Sequence, residues 1–231
     1  MKVAAIIPAY QAAASVGPVV TGSREILERV VVVDDGSTDG TGEVAAAAGA
    51  EVLRHQRNLG KGRALQTAFG ALFGRGCDAV VTLDADGQHL PSEIPRLLAA
   101  AEEGVGMVIG SRDHLFAQMS RLRKASNRCS SSLISILAGR RFCDIQSGFR
   151  LYSRSLIEAT GFPEPRFEAE SAVVVRAARL GLTVVSVPVR LGFADGRSTS
   201  HYRPLIDSLR IARAVVGARL EGARWRQRRS S

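Results

Sequence analysis

Five short apolar runs, each closed by a polar cluster and separated by helical stretches, constrain this chain more than any other feature. Val3 to Ile7 is stopped by Pro8, and Val30 to Val33 ends in Asp34-Asp35-Gly36. Glu51 to Leu53 is weaker, Ala79 to Leu83 ends in Asp84, and Met107 to Ile109 ends in Gly110-Ser111-Arg112. Thr41 to Ala48, Lys61 to Phe73 and Pro91 to Glu103 read as the helices between them. Uninterrupted apolar strands are buried on both faces, and their alternation with helices gives a mostly parallel sheet flanked by helices, an α/β fold. Such sheets bind ligands beyond the carboxyl ends of their strands. Pro8-Ala9-Tyr10, Asp34-Asp35, Asp84 to Asp86 and Arg112 all fall at those ends, so separate strands deliver them to one rim.

The second half is less regular. Ser120 to Leu137 reads as a helix with Arg and Ser on its polar positions. Asp144 to Arg150 reads as a loop before a short strand near Leu151-Tyr152, Glu168 to Leu180 as a helix, and Thr183 to Val187 as a strand. Gly192 to Ser200 is a polar, Gly-containing loop. Leu205, Leu209, Ala212, Val216 and Leu220 recur at three- or four-residue spacing, so the tail starts as an amphipathic helix. A length of 231 residues suits one α/β domain, here 1–202, followed by a basic helix and tail at 203–231.

Formal net charge is +9, and from Arg203 onward eight arginines face two acids, a net +6. The body is therefore close to balanced. The basic tail lacks interleaved aromatics, which argues against a nucleic-acid partner. Cys77, Cys129 and Cys143 fit no metal spacing, and an odd count argues against a disulfide framework. No stretch approaches the ~20 apolar residues of a membrane span, and Met1-Lys2 leads straight into a strand. The expectation is a cytoplasmic protein whose membrane contact, if any, is peripheral on the inner face. The tail either lies on anionic lipid or packs on the domain.

Asp84-Ala85-Asp86-Gly87-Gln88 carries the most chemistry. Two carboxylates at i and i+2, just past a strand end, can approach one cation. Hard oxygen ligands suit Mg²⁺ or Mn²⁺, which share their shell with phosphates. Such a cation neutralises charge on a departing diphosphate. Gln88 can add a carbonyl oxygen. The competing reading is a turn with Asp at capping positions. Asp34-Asp35 can accept from a base edge or ribose hydroxyl, while Ser37, Thr38 or Asp39 is placed to cap the next helix. Asn58-Leu59-Gly60-Lys61-Gly62 resembles half a phosphate loop without completing it. Lys61 is either a phosphate contact or a solvated helix-start lysine. Of the histidines, His55, His89 and His114 read as structural or surface residues. His201 lies in a run, Arg197 to Arg203, that can close on an anion.

As an ordered set, IIPAYQ, VVVDDGSTDGT, NLGKGRALQTAF, VVTLDADGQHLPSEIP, GSRD, DIQSGFRLYSR, FEAE and VVSVPVR resemble family 2 glycosyltransferases of the GT-A fold over residues 3 to 210. The later strings resemble the polyprenyl-phosphate hexosyltransferase branch. The resemblance implies that Pro8, Ala9, Tyr10, Asp34 and Asp35 hold the nucleoside, with Lys61, Ala85 and Arg112 on the donor side. Asp84, Asp86 and Gln88 would bind Mg²⁺ or Mn²⁺. Gln146, Ser147, Arg150, Arg197, His201 and Arg203 would meet the acceptor, and Asp86, Asp144 and Arg112 would carry catalysis. The chain departs from the family after its PAY string, where Gln11 is followed by three alanines instead of acidic residues.

The implied activity is inverting transfer of a hexose from a UDP- or GDP-sugar to a polyprenyl phosphate. An ionised phosphate acceptor needs no strong base. A soluble or glycan hydroxyl would need one, and Asp144, Glu168 and Glu170 are then the candidates. A third reading is a non-catalytic nucleotide-sugar-binding module, against which the intact acidic motif argues.

Overall fold

A computed structural model describes residues 1–112, 134–136, 139, 145, 147–192 and 209–220. Its strands are β1 (Val3–Ala9), β2 (Arg29–Asp34), β3 (Glu51–Arg54), β4 (Ala79–Thr82), β5 (Val105–Ser111), β6 (Arg150–Ser153) and β7 (Thr183–Pro188). They form one sheet in the order β3-β2-β1-β4-β6-β5-β7. Every pairing is parallel except those of β6, which runs antiparallel between β4 and β5. The sheet is therefore mostly parallel, as the apolar runs require.

The helices are α1 (Val16–Arg24), α2 (Thr41–Ala47), α3 (Lys61–Gly74), α4 (Ile94–Ala99), α5 (Arg154–Thr160) and α6 (Glu168–Arg179), followed by α7 over 209–220. Alternate residues of each strand enter opposite layers, as the pleat dictates. Ala4, Ile6, Val31, Val33, Val80 and Met107 pack with α3, α5, α6 and α7. Ala5, Ile7, Val30, Val32, Val81 and Val108 pack with α1 and α4 on the other face. α7 buries Ile211, Val215 and Ala218, at i, i+4 and i+7, in the first of these layers. The tail helix thus docks on the domain by one stripe.

Several expectations are corrected at element level. α1 is absent from the sequence reading because Gly17, Pro18 and Gly22 mask it, yet Val16, Val19, Val20 and Ser23 form a buried stripe at helical spacing. Pro18 sits in the first turn, where a missing N–H costs no helical bond. The stretch after Pro91 is a 3-10 turn, Pro91–Glu93, followed by the short α4 ending at Ala99 rather than Glu103. There the chain turns through Gly104, at φ 83°, to enter β5. α5 likewise carries no clear sequence signal; its first turn is capped by Ser153, whose Oγ accepts from Leu156 N at 3.1 Å. Finally, Ser37, Thr38 and Asp39 do not occupy the α2 N-cap, which is Gly40. Ser37 and Asp39 accept from the amides of Gln11 and Ala13, tying the departing 11–13 segment to the loop. Asp39 also accepts from Thr41 N at 3.1 Å, so it serves the helix from one residue further out.

Gly60 and Gly62 permit close approach, but to the protein itself. A Cβ on Gly62 would clash with the Glu164 carbonyl oxygen and lie 2.8 Å from that of Arg166. These are backbone atoms that cannot swing aside. Gly62→Ala is therefore expected to cost about 1–3 kcal/mol by prising α3 from the segment before α6, read as a lowered urea midpoint.

Candidate active site

Strand order places β1 between β2 and β4, with connections leaving to opposite faces. This is the switch point at which an open α/β sheet binds ligands. Pro8 helps to open it. β1 pairs with β4 only as far as Ile6↔Thr82, while its pairing with β2 runs on to Ala9↔Asp34. Ile6 O accepts from Leu83 N on the β4 side, and Ala9 O accepts from Asp35 N on the β2 side. By alternation Pro8 faces β4, where the ladder has ended, so its missing N–H costs nothing. The chain beyond β4 is then released as the acidic turn.

In that turn Gly87 adopts φ 76° and Gln88 N donates to Asp86 Oδ1 at 3.0 Å. Ala85 is buried and anchors the turn. Asp84 N donates to His89 Nδ1 at 3.0 Å, and the buried His89 ring stacks on Phe149 at 5.4 Å. With Nδ1 acting as acceptor, His89 does not donate to Asp84 Oδ2, 3.6 Å away. His89 thus shapes the acidic turn, the structural one of the two roles its sequence position offered. Its backbone bridges Leu191, and Gly192 N donates to Gln88 O at 3.0 Å, so the segment leaving β7 starts against the same turn.

Lys61 is neither solvated nor turned outward. Its Nζ lies 2.6 Å from Asp84 Oδ1 and 3.1 Å from Glu170 Oε2, with the lysine side chain 12% exposed. Burial alone would lower the lysine pKa, but the two carboxylates outweigh it and raise it. Burial likewise pushes the Asp84 carboxyl up, yet the Lys61 ammonium, with Arg112 adding to it, holds it well below the usual carboxylate range. Asp86 differs: burial raises it, and the Asp84 charge pushes the same way, against the Gln88 amide bond. The two carboxylates of the turn thus differ: Lys61 satisfies the ionised Asp84, while the ionised form of Asp86 is disfavoured.

The donor chemistry fits a divalent cation. Asp84, Asp86 and Gln88 are half-buried oxygen donors on one turn. Among the described residues no cluster of three or more His, Cys, Asp or Glu could complete a shell. Mg²⁺ held by one or two carboxylates usually completes its shell with water and substrate phosphate.

Other site expectations divide. Tyr10 and Arg112 follow β1 and β5 at the rim, and the Arg112 charge reaches Asp84. Asp34 and Asp35 are at the rim, with both carboxylates turned to donors of the protein. Asp34 accepts from Ser37 N at 2.9 Å and Arg54 Nε at 3.1 Å. Asp35 accepts from Leu59 N and Gly60 N, and its Oδ1 lies 2.6 Å from His55 Nδ1. Both carboxylates are buried; Asp35 fixes the Leu59-Gly60 segment that leads to Lys61, while Asp34 ties the end of β2 to Arg54 of β3.

Because β6 is antiparallel, its entry, not its exit, lies at the rim, and residues 147–150 arrive beside Asp84. A Cβ on Gly148 would lie 2.6 Å from Lys61 Nζ and 2.9 Å from Asp84 Oδ2. Ser147 and Arg150 are fully buried. The Arg150 guanidinium donates to the carbonyls of Ile145, Ser147 and Glu170. Asp144, Gln146, Arg197, His201 and Arg203 lie outside the described residues, as does most of the Ser120 to Leu137 stretch.

A mostly parallel sheet with an antiparallel β6 and an acidic turn at the β1/β4 switch point defines a GT-A-type glycosyltransferase. The Glycosyl transferase family 2 model matches residues 4–161, and the chain belongs to that family. An undecaprenyl-phosphate mannosyltransferase of Micrococcus luteus is 33% identical over 202 residues, covering 82% of this chain and 83% of its own. Glycosyltransferase AglJ of Haloferax volcanii is 32% identical over 205 residues, covering 87% and 67%. Among solved structures, glucosyl-3-phosphoglycerate synthase of Mycobacterium tuberculosis, in complex with Mn²⁺, UDP and phosphoglyceric acid, superposes with TM-score 0.71. It is 24% identical and covers 95% of this chain and 78% of its own.

Proposed function

We propose that the chain transfers a hexose, with inversion, from a UDP- or GDP-sugar to a polyprenyl phosphate. The observation that carries this is the Asp84-Ala85-Asp86 turn at the switch point, with Lys61 and Arg112 beside it. Asp84 and Asp86 would hold Mg²⁺ or Mn²⁺, with Gln88 as a further oxygen donor. The bound cation would offset the charge gathering on the departing diphosphate. Arg112 would add positive charge on the same side, and Tyr10 would border the nucleoside. A phosphate acceptor arrives ionised, so no base is required of the protein. The acceptor class is supported by the undecaprenyl-phosphate relative.

A donor panel tests this: UDP- and GDP-hexoses with Mg²⁺ or Mn²⁺, with and without undecaprenyl phosphate. A lipid-linked product formed together with nucleotide release supports it. Turnover on a soluble acceptor alone would transfer support to a hydroxyl-acceptor reading. One observation favours that alternative: Glu168 Oε2 is buried without a hydrogen-bond partner on the first turn of α6.

Membrane contact belongs to the same proposal. No helix among the described residues is long and apolar enough to cross a membrane. α7 nevertheless exposes Leu209, Val216 and Leu220 on the face opposite its buried stripe, beside the exposed Arg213. Apolar residues flanked by arginine suit the surface of an anionic bilayer. The double substitution Leu209→Asp, Val216→Asp is expected to reduce co-sedimentation with phosphatidylglycerol vesicles several-fold. Thermal stability should hold, since both side chains are exposed. Unchanged binding would remove α7 as the anchor.

A further inference from the structure

The Lys61 ammonium occupies the position from which a cation would otherwise engage Asp84. It sits 2.6 Å from Asp84 Oδ1, roofed by Gly148, whose backbone comes so close that even a Cβ there would meet Nζ. A divalent ion reaching Asp84 would meet a fixed positive charge within a few ångströms, in a setting where burial strengthens repulsion. Asp86 alone would hold such an ion weakly, and the described residues provide no larger acidic cluster to help. A nucleotide diphosphate changes the balance, because it brings negative charge and further oxygen ligands with the metal.

For the metal to take Asp84 Oδ1, Lys61 must give it up. A second acceptor is already in place. Nζ lies 3.1 Å from Glu170 Oε2, while the other oxygen, Oε1, is buried without a hydrogen-bond partner. A buried orphan carboxylate oxygen is costly unless something comes to satisfy it. A small rotation of the lysine would do so.

Resting on the metal-site reading above, we infer that Lys61 is an internal counter-cation of the acidic turn. It keeps a lone divalent ion off Asp84 and moves onto Glu170 when the ion arrives with a nucleotide diphosphate. Lys61 and Glu170 are then positioning residues that impose joint binding of metal and donor.

The test needs no turnover. Mn²⁺ binding to the full chain is followed by electron paramagnetic resonance of free Mn²⁺, without nucleotide and with UDP or GDP, against nucleotide-only blanks. The native protein should bind lone Mn²⁺ weakly and gain at least tenfold with a nucleotide. Lys61→Met should gain tenfold or more for lone Mn²⁺ and lose most of the nucleotide dependence. Glu170→Gln should still reject lone Mn²⁺ but lose several-fold of the nucleotide gain. If Lys61→Met does not fold, Lys61→Gln, which removes the charge but keeps a polar donor, makes the same comparison. The inference is overturned if the native protein binds Mn²⁺ with nucleotide while neither Lys61 variant binds lone Mn²⁺ better than it does. Absence of Mn²⁺ binding by the native protein with either nucleotide would instead remove the metal reading, and this inference with it.

Discussion

Asp86→Ala should lower glycosyl transfer about a thousandfold, the scale seen when one preorganised electrostatic group is removed from an active site, while leaving the fold intact. Within the protein the Asp86 side chain accepts from Gln88 N inside its own turn. Nothing in the core depends on it. Its pKa is raised by burial and by Asp84, so its ionised form is disfavoured in the folded chain. A carboxyl raised on folding makes the native state bind more protons than the unfolded one, so its contribution to stability falls as pH rises through that window. Removing it should leave the melting temperature at pH 7 unchanged or slightly higher, and the gain should vanish near pH 3. Activity and stability moving in opposite directions would mark a residue kept for its ligand. The check is paired kinetics and thermal melts across pH. Chelation with EDTA should silence the native enzyme, and Mn²⁺ should restore it but not the variant. An active Asp86→Ala would remove the metal assignment.

What the sequence showed and what it hid follow from the same physics. The strands β1, β2, β4 and β5 were readable because strands buried on both faces are continuous apolar runs, and their order alone put Asp34, Asp84 and Arg112 at one rim. The direction in which Asp34 and Asp35 face was not readable. It depends on donors from Arg54, Leu59 and Gly60, which a parallel pairing of β2 with β3 brings alongside. Lys61 looked like a phosphate ligand or a solvated side chain because its partners lie 23 and 109 positions away. Glu170 reaches it only through the packing of the 164–166 segment on Gly60 and Gly62. The direction of β6 was equally hidden, since four residues of strand pattern carry no sign of parallel or antiparallel pairing. α7 showed its amphipathic spacing, but only the fold identifies Ile211, Val215 and Ala218 as the docked stripe.

Arg150 illustrates how a motif arginine can serve architecture, and its replacement should give the largest loss of stability. It is fully buried, and its guanidinium donates to three backbone carbonyls, Ile145, Ser147 and Glu170, with Tyr152 Oη a further 3.4 Å contact. One rigid, planar group thereby fastens the entry to β6 onto the first turn of α6, which carries Glu170. Arg150→Met keeps much of the volume but leaves those carbonyls without their donor inside the protein. At ~1–3 kcal/mol for each orphaned buried acceptor, the loss is roughly 3–6 kcal/mol, allowing for partial relaxation. For a chain of this size that corresponds to a melting temperature lower by about 10 °C or more. Lysine should rescue little, because a single ammonium cannot reproduce the fork. If Arg150 instead served an acceptor phosphate, Arg150→Met would raise KM for the lipid at nearly unchanged stability. Denaturation midpoints measured beside acceptor kinetics separate these outcomes, and a stable variant with a raised KM would overturn the architectural role.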